Sequence, residues 1–77
     1  MSEFDRIKWQ CRRGLLELDL ILQRFLEQRF NTLSDDQVGL FRELLEFSDN
    51  DLLDMVMGRA EPVDEQLSAV LEMMRRV

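Results

Sequence analysis

The sequence predicts an all-α protein, a compact bundle of five helices, and three observations carry that expectation. Ser2, Ser34 and Ser48 each stand just before a segment whose apolar residues recur every three or four positions, which is where a helix N-cap belongs. The alternating β-branched runs that mark strands are absent. Gly58 and Pro62 punctuate the chain where one helix should stop and the next begin.

Taken in order, Ser2 opens a first helix that puts Phe4, Ile7 and Cys11 on one face and leaves Trp9 off it. The second helix runs from about Leu15 to Phe30. At ~100° per residue, Leu15, Leu18, Ile21, Leu22, Phe25 and Leu26 share one arc, the expected core stripe. Leu16 and Leu20 fall outside that stripe, so this helix is either central in the bundle or carries a contact surface. Ser34 and Gln37 have the spacing of a capping box and start a third helix, with Val38, Phe41, Leu44 and Leu45 facing inward. Ser48 caps a fourth that carries Leu52, Leu53 and Val56 and ends at Gly58. Pro62 opens the fifth, whose inward face reads Val63, Leu67, Val70, Leu71, Met74 and Val77. Arg75 and Arg76 suit the negative end of that helix. Met55, Met57, Met73 and Met74 read as adaptable core filler, with Met57 or Met73 able to stand exposed. No internal repeat or low-complexity tract interrupts the pattern, and residues 1–77 are expected to form a single domain.

Composition excludes several functions. With 45% hydrophobic and 34% charged residues the chain is neither disordered nor membrane-spanning, since no apolar run approaches the roughly 20 residues a bilayer helix needs. Met1 to Asp5 lack the marks of a secretory or transit leader, and the lone Cys11 suits a reducing compartment, so a cytoplasmic setting is expected. There is no histidine and no tyrosine. That removes the commonest general base, the commonest metal ligand and every Ser/His or Cys/His arrangement, so neither an enzyme nor a metal site is expected. Cys11 lies beside Arg12 and Arg13, which favour a thiolate, but its place on the Phe4/Ile7 face points to a buried structural thiol.

The net charge of -6 is unevenly spread. Residues 1–13 hold Arg6, Lys8, Arg12 and Arg13 against Glu3 and Asp5, a net of +2, whereas residues 34–77 set four arginines against eleven carboxylates, a net of -7. So acidic a body repels phosphate backbones, and no nucleic-acid partner is expected.

The most informative stretch is Arg12-Arg13-Gly14-Leu15-Leu16-Glu17-Leu18-Asp19. If the helix passes through Gly14, Arg13 and Glu17 are i, i+4 neighbours on the side away from the core stripe. Trp9 lies one turn before Arg13, and Leu20 one turn beyond Leu16. Trp9, Arg12, Arg13, Gly14, Leu16, Glu17, Asp19 and Leu20 then outline a partner-binding patch, rich in the side chains that dominate interface hot spots. A glycine here costs up to about 1 kcal/mol of helix propensity, so it either ends the first helix or permits a bend or the close approach of another backbone.

At these residues the chain resembles the small flavinylation factors that assemble succinate dehydrogenase, whose signature is Arg-Gly-x-x-Glu, here Arg13, Gly14 and Glu17. The resemblance extends to Arg12 and Asp19, to Leu33-Ser34-Asp35-Asp36, and to Leu44-Leu45-Glu46 with Asp49, Asp51 and Leu52. It implies a five-helix assembly factor that binds the flavoprotein subunit of succinate dehydrogenase, with fumarate reductase a further client, and promotes covalent attachment of FAD to a client histidine. The FAD then belongs to the client and none is held stably by this chain, which is expected to be a monomer with no direct insertion into a membrane. The alternative is an antitoxin-like or other regulatory interaction module without a flavin role.

Overall fold

The computed structural model describes residues 2–77 and contains five α-helices, joined by turns and one short 3-10 segment, with no strand among those residues. Helix α1 spans Glu3–Gln10, α2 Leu16–Gln28, α3 Asp35–Leu44, α4 Asp49–Val56 and α5 Glu65–Arg75; Phe30–Thr32 form the 3-10 turn between α2 and α3.

Local hydrogen bonds explain why most of these helices begin where they do. The Ser2 hydroxyl accepts from the Asp5 amide at 3.1 Å and the Ser48 hydroxyl from the Asp51 amide at 3.2 Å. At α3 the capping box closes in both directions: Ser34 Oγ accepts from the Gln37 amide at 3.2 Å, and Gln37 Oε1 accepts from the Ser34 amide at 2.9 Å. Gly58 adopts φ +81 just beyond α4, the left-handed geometry that favours glycine at a helix end.

Helix α5 packs against α2, α3 and α4 and is the hub of the bundle. The core is one cluster in which Ile7, Leu18, Leu22, Phe25, Phe41, Leu44, Leu52 and Leu71 are wholly buried, and the Phe25 and Phe41 rings meet at 4.9 Å between centroids. Met55 and Met74 join that core, Met73 is half-buried and Met57 is exposed.

Of the readings open at Gly14, the break between helices holds: α1 ends at Gln10, and a five-residue connection separates it from α2. Three expectations need correction. Helix α2 stops at Gln28, because the backbone tightens into the 3-10 turn that carries Phe30. Phe4, expected on the core face, sits exposed on the rim, its ring tilted against that of Phe30 with centroids 4.9 Å apart. Pro62 does not open α5. Asp64 does, by accepting the Gln66 amide at 2.8 Å, and Val63 is left fully exposed in the connection before it.

Candidate functional site

The connection 11–15 is anchored by buried Cys11 at one end and by Leu15 against the core at the other, and hydrogen bonds hold its middle. Gly14 takes φ +85, and a Cβ placed there would find open space within 4 Å. On one side Asp19, in the first turns of α2, accepts from two successive backbone amides, Arg13 N–H at 2.8 Å and Gly14 N–H at 3.3 Å. On the other side the Arg13 side chain reaches inward: Nε donates to Asp49 Oδ1 at 2.6 Å, Nη1 to the Leu45 carbonyl at 2.6 Å, and Nη2 to the Phe47 carbonyl. Leu45 is the C-cap of α3, Phe47 lies in the α3–α4 turn and Asp49 begins α4, so one guanidinium satisfies a helix end, braces the turn and pairs with the acidic start of the next helix.

Arg13 is therefore not the exposed partner of Glu17 that i, i+4 spacing suggested; its side chain is 13% exposed. With Gly14 in a left-handed turn, the two residues are not on one helix. Glu17 sits exposed in the first turn of α2, where the helix dipole favours a carboxylate. Asp19 is half-buried and engaged with the turn.

The remaining patch residues do face solvent. Leu16 is 75% exposed and Trp9 70%, large values for side chains of that type, and Leu20 is exposed one turn beyond Leu16. Leu16, Glu17 and Leu20 form a strip on α2, while Arg12 places its guanidinium 6.0 Å from the centre of the Trp9 ring. Free positive charge concentrates on the same part of the chain. Among the described residues Arg13, Arg42, Arg59, Arg75 and Arg76 are in ion pairs, and Arg6, Lys8, Arg12, Arg24 and Arg29 are not.

Between α1 and α2 lies an open groove of about 590 Å3, bordered by Phe4, Lys8 and Arg12 on one wall and by Asp19, Gln23 and Glu27 on the other. Of α1 and its C-cap only Ile7 and Cys11 enter the buried core, which leaves this space open to solvent. No group of three or more Cys, Asp or Glu among the described residues is arranged to hold a metal ion, and no helix is long and apolar enough to cross a membrane.

Cys11 is buried, as its place beside Ile7 implied. Burial pushes its thiol from 9.0 to about 12, with Asp19 adding to the rise and the Arg13 charge opposing it. Two results are expected. Iodoacetamide at pH 8 should leave Cys11 unmodified in the folded protein and alkylate it in urea, as mass spectrometry will read. Because the folded state holds this proton more tightly than the unfolded state, stability should be fully retained below about pH 9 and fall as pH rises from there towards 12. Alkylation of the native protein as fast as of the unfolded one would contradict both.

Sequence reasoning found the outward residues but missed the Arg13 partners. Leu45, Phe47 and Asp49 lie 32 to 36 positions away and act mainly through carbonyl groups, which leave no mark on residue type.

The fold and the exposed side chains define a small all-helical protein with a hydrogen-bonded glycine turn and solvent-facing Trp9, Leu16 and Leu20. This chain belongs to the family described as flavinator of succinate dehydrogenase, which residues 5–77 match. Its relatives include proteins named FAD assembly factor SdhE. It is 49% identical to the one from Ralstonia nicotianae over 57 residues, covering 74% of this chain and 60% of that relative. It is 39% identical to the one from Idiomarina loihiensis over 69 residues, 90% of this chain and 77% of the relative. The relative from Legionella pneumophila is 43% identical over 68 residues, 88% of this chain and 86% of its own length.

Proposed function

We propose that this chain binds the flavoprotein subunit of succinate dehydrogenase and promotes covalent attachment of FAD to a histidine of that subunit. The observation that carries the reading is the Arg13-Gly14-x-x-Glu17 stretch of a flavinator family member, built as a hydrogen-bonded turn that leaves Gly14, Leu16, Glu17 and Leu20 exposed. Trp9 and Arg12 extend the face from α1, and the free cations on this part of the chain steer it towards an acidic client surface. Arg13 and Asp19 belong to the site from beneath, holding the turn rather than touching the client.

The chemistry stays with the client. This chain has no histidine to accept a flavin, so its contribution is geometric: it holds the client's histidine and bound FAD in a near-attack arrangement. Such positioning can recover as much as ~7 to 11 kcal/mol of a barrier. The factor acts as a cytoplasmic monomer, leaves FAD on the client, and serves fumarate reductase through the same face.

The test is to incubate the apo flavoprotein subunit with FAD, with and without this protein, and to read covalent flavin by fluorescence after denaturing electrophoresis. A clear rise in rate or yield is expected. An unchanged rate and yield would sink the proposal.

A further inference from the structure

Asp49 lies 36 residues from Arg13 and opens α4, yet it takes hold of the motif arginine directly. The α1–α2 connection owes its shape to few interactions. A Cβ at Gly14 would meet nothing within 4 Å, so no close neighbour on that side braces the residue. Asp19 holds the backbone of residues 13 and 14, and the α3–α4 turn holds the Arg13 guanidinium through the Leu45 and Phe47 carbonyls and the Asp49 carboxylate. Release of either grip leaves a residue with positive φ free to change conformation, and Leu16, Glu17 and Leu20 follow it immediately in sequence.

We infer that Asp49 and the α3–α4 turn are a positioning unit for flavinylation: by gripping Arg13 they set the presentation of Gly14 and of the α2 strip, without contact with the client. This inference rests on the functional reading above. A lysine at position 13 cannot substitute, because one ammonium is a compact point donor while the three acceptors surround a planar fork.

A matched control exists within the same fold. Arg75 clamps the other end of α4, donating to the Met55 and Val56 carbonyls and pairing with Glu61 and Glu72. Arg75→Gln should therefore destabilise the bundle in a comparable way without touching the α1–α2 turn.

The experiment compares the parent protein with Asp49→Ala, Asp49→Asn, Arg13→Lys and Arg75→Gln. Each is assayed well below its own melting temperature for affinity to the flavoprotein subunit, for covalent flavin formed, and for amide hydrogen exchange at Arg13 and Gly14. Asp49→Ala and Arg13→Lys should each bind at least tenfold more weakly, with exchange at Gly14 accelerated and core amides still protected. Asp49→Asn, which keeps an acceptor, should fall between them and the parent and serves if the alanine variant does not fold. Arg75→Gln should stay within twofold of the parent. Three results would overturn the inference: Asp49→Ala within twofold of the parent, loss in Arg75→Gln matching its lowered melting temperature as in the others, or full activity in Arg13→Lys, which would mean that Asp49 touches the client itself. A parent that raises no covalent flavin at all defeats the functional reading instead, and the exchange data still decide whether Asp49 sets the turn.

Discussion

Phe25→Ala should cost roughly 3 to 5 kcal/mol, and Phe41→Ala about the same. Both rings are wholly buried and lie against each other at 4.9 Å and 43°, linking α2 to α3 through the core, so deleting either leaves a cavity in a close-packed interior. The magnitude matters because a chain of 77 residues holds only about 4 to 11 kcal/mol in all. Either substitution therefore removes a large share of the total. Urea denaturation followed by circular dichroism should show a much lower midpoint with a nearly unchanged slope. A loss under about 1 kcal/mol would mean that the two rings are not the centre of the core.

Gly14→Glu should abolish stimulation of covalent flavin while the protein stays folded. The left-handed φ of +85 makes any side chain costly there, by roughly 1 to 2 kcal/mol, which a marginal domain survives. In the free protein the new Cβ has open space within 4 Å. At a packed interface it meets the client, with a carboxylate near Glu17 that would have to be desolvated. Gly14→Ala separates the two terms: the same φ costs it about 1 kcal/mol with little bulk, so it should melt lower but retain most activity. A helical φ would have reversed that sign and made the alanine neutral or stabilising. Melting curves and flavinylation assays on both variants check the argument; a glutamate variant as active as the parent would place the interface away from Gly14.

The order and type of the helices were legible because their signals are local. Ser2, Ser34 with Gln37, and Ser48 act on amides three residues away, and Gly58 acts on its own φ. At α5 Pro62 suits a first helical turn, but Asp64 caps an amide and Pro62 does not, so the helix begins after Asp64 and Val63 stays outside it. The exposure of Trp9, Leu16 and Leu20 was legible as well, since they break the core periodicity. Arg13 was not. Helical spacing describes one helix at a time, and what turns this arginine inward is the set of acceptors at the junction of two others.

The two arginine clamps also bear on how the chain comes together. Helix α4 has eight residues, too few to persist alone in water, and it is bracketed from both ends of the sequence: Arg13 grips its first residue and Arg75 its last carbonyls. It cannot be completed until segments near each terminus have arrived. Fragments that lack residues 1–13 or the last few residues should lose the middle of the protein along with the missing piece, and a growing chain should gain its full helix content only once Arg75 has emerged.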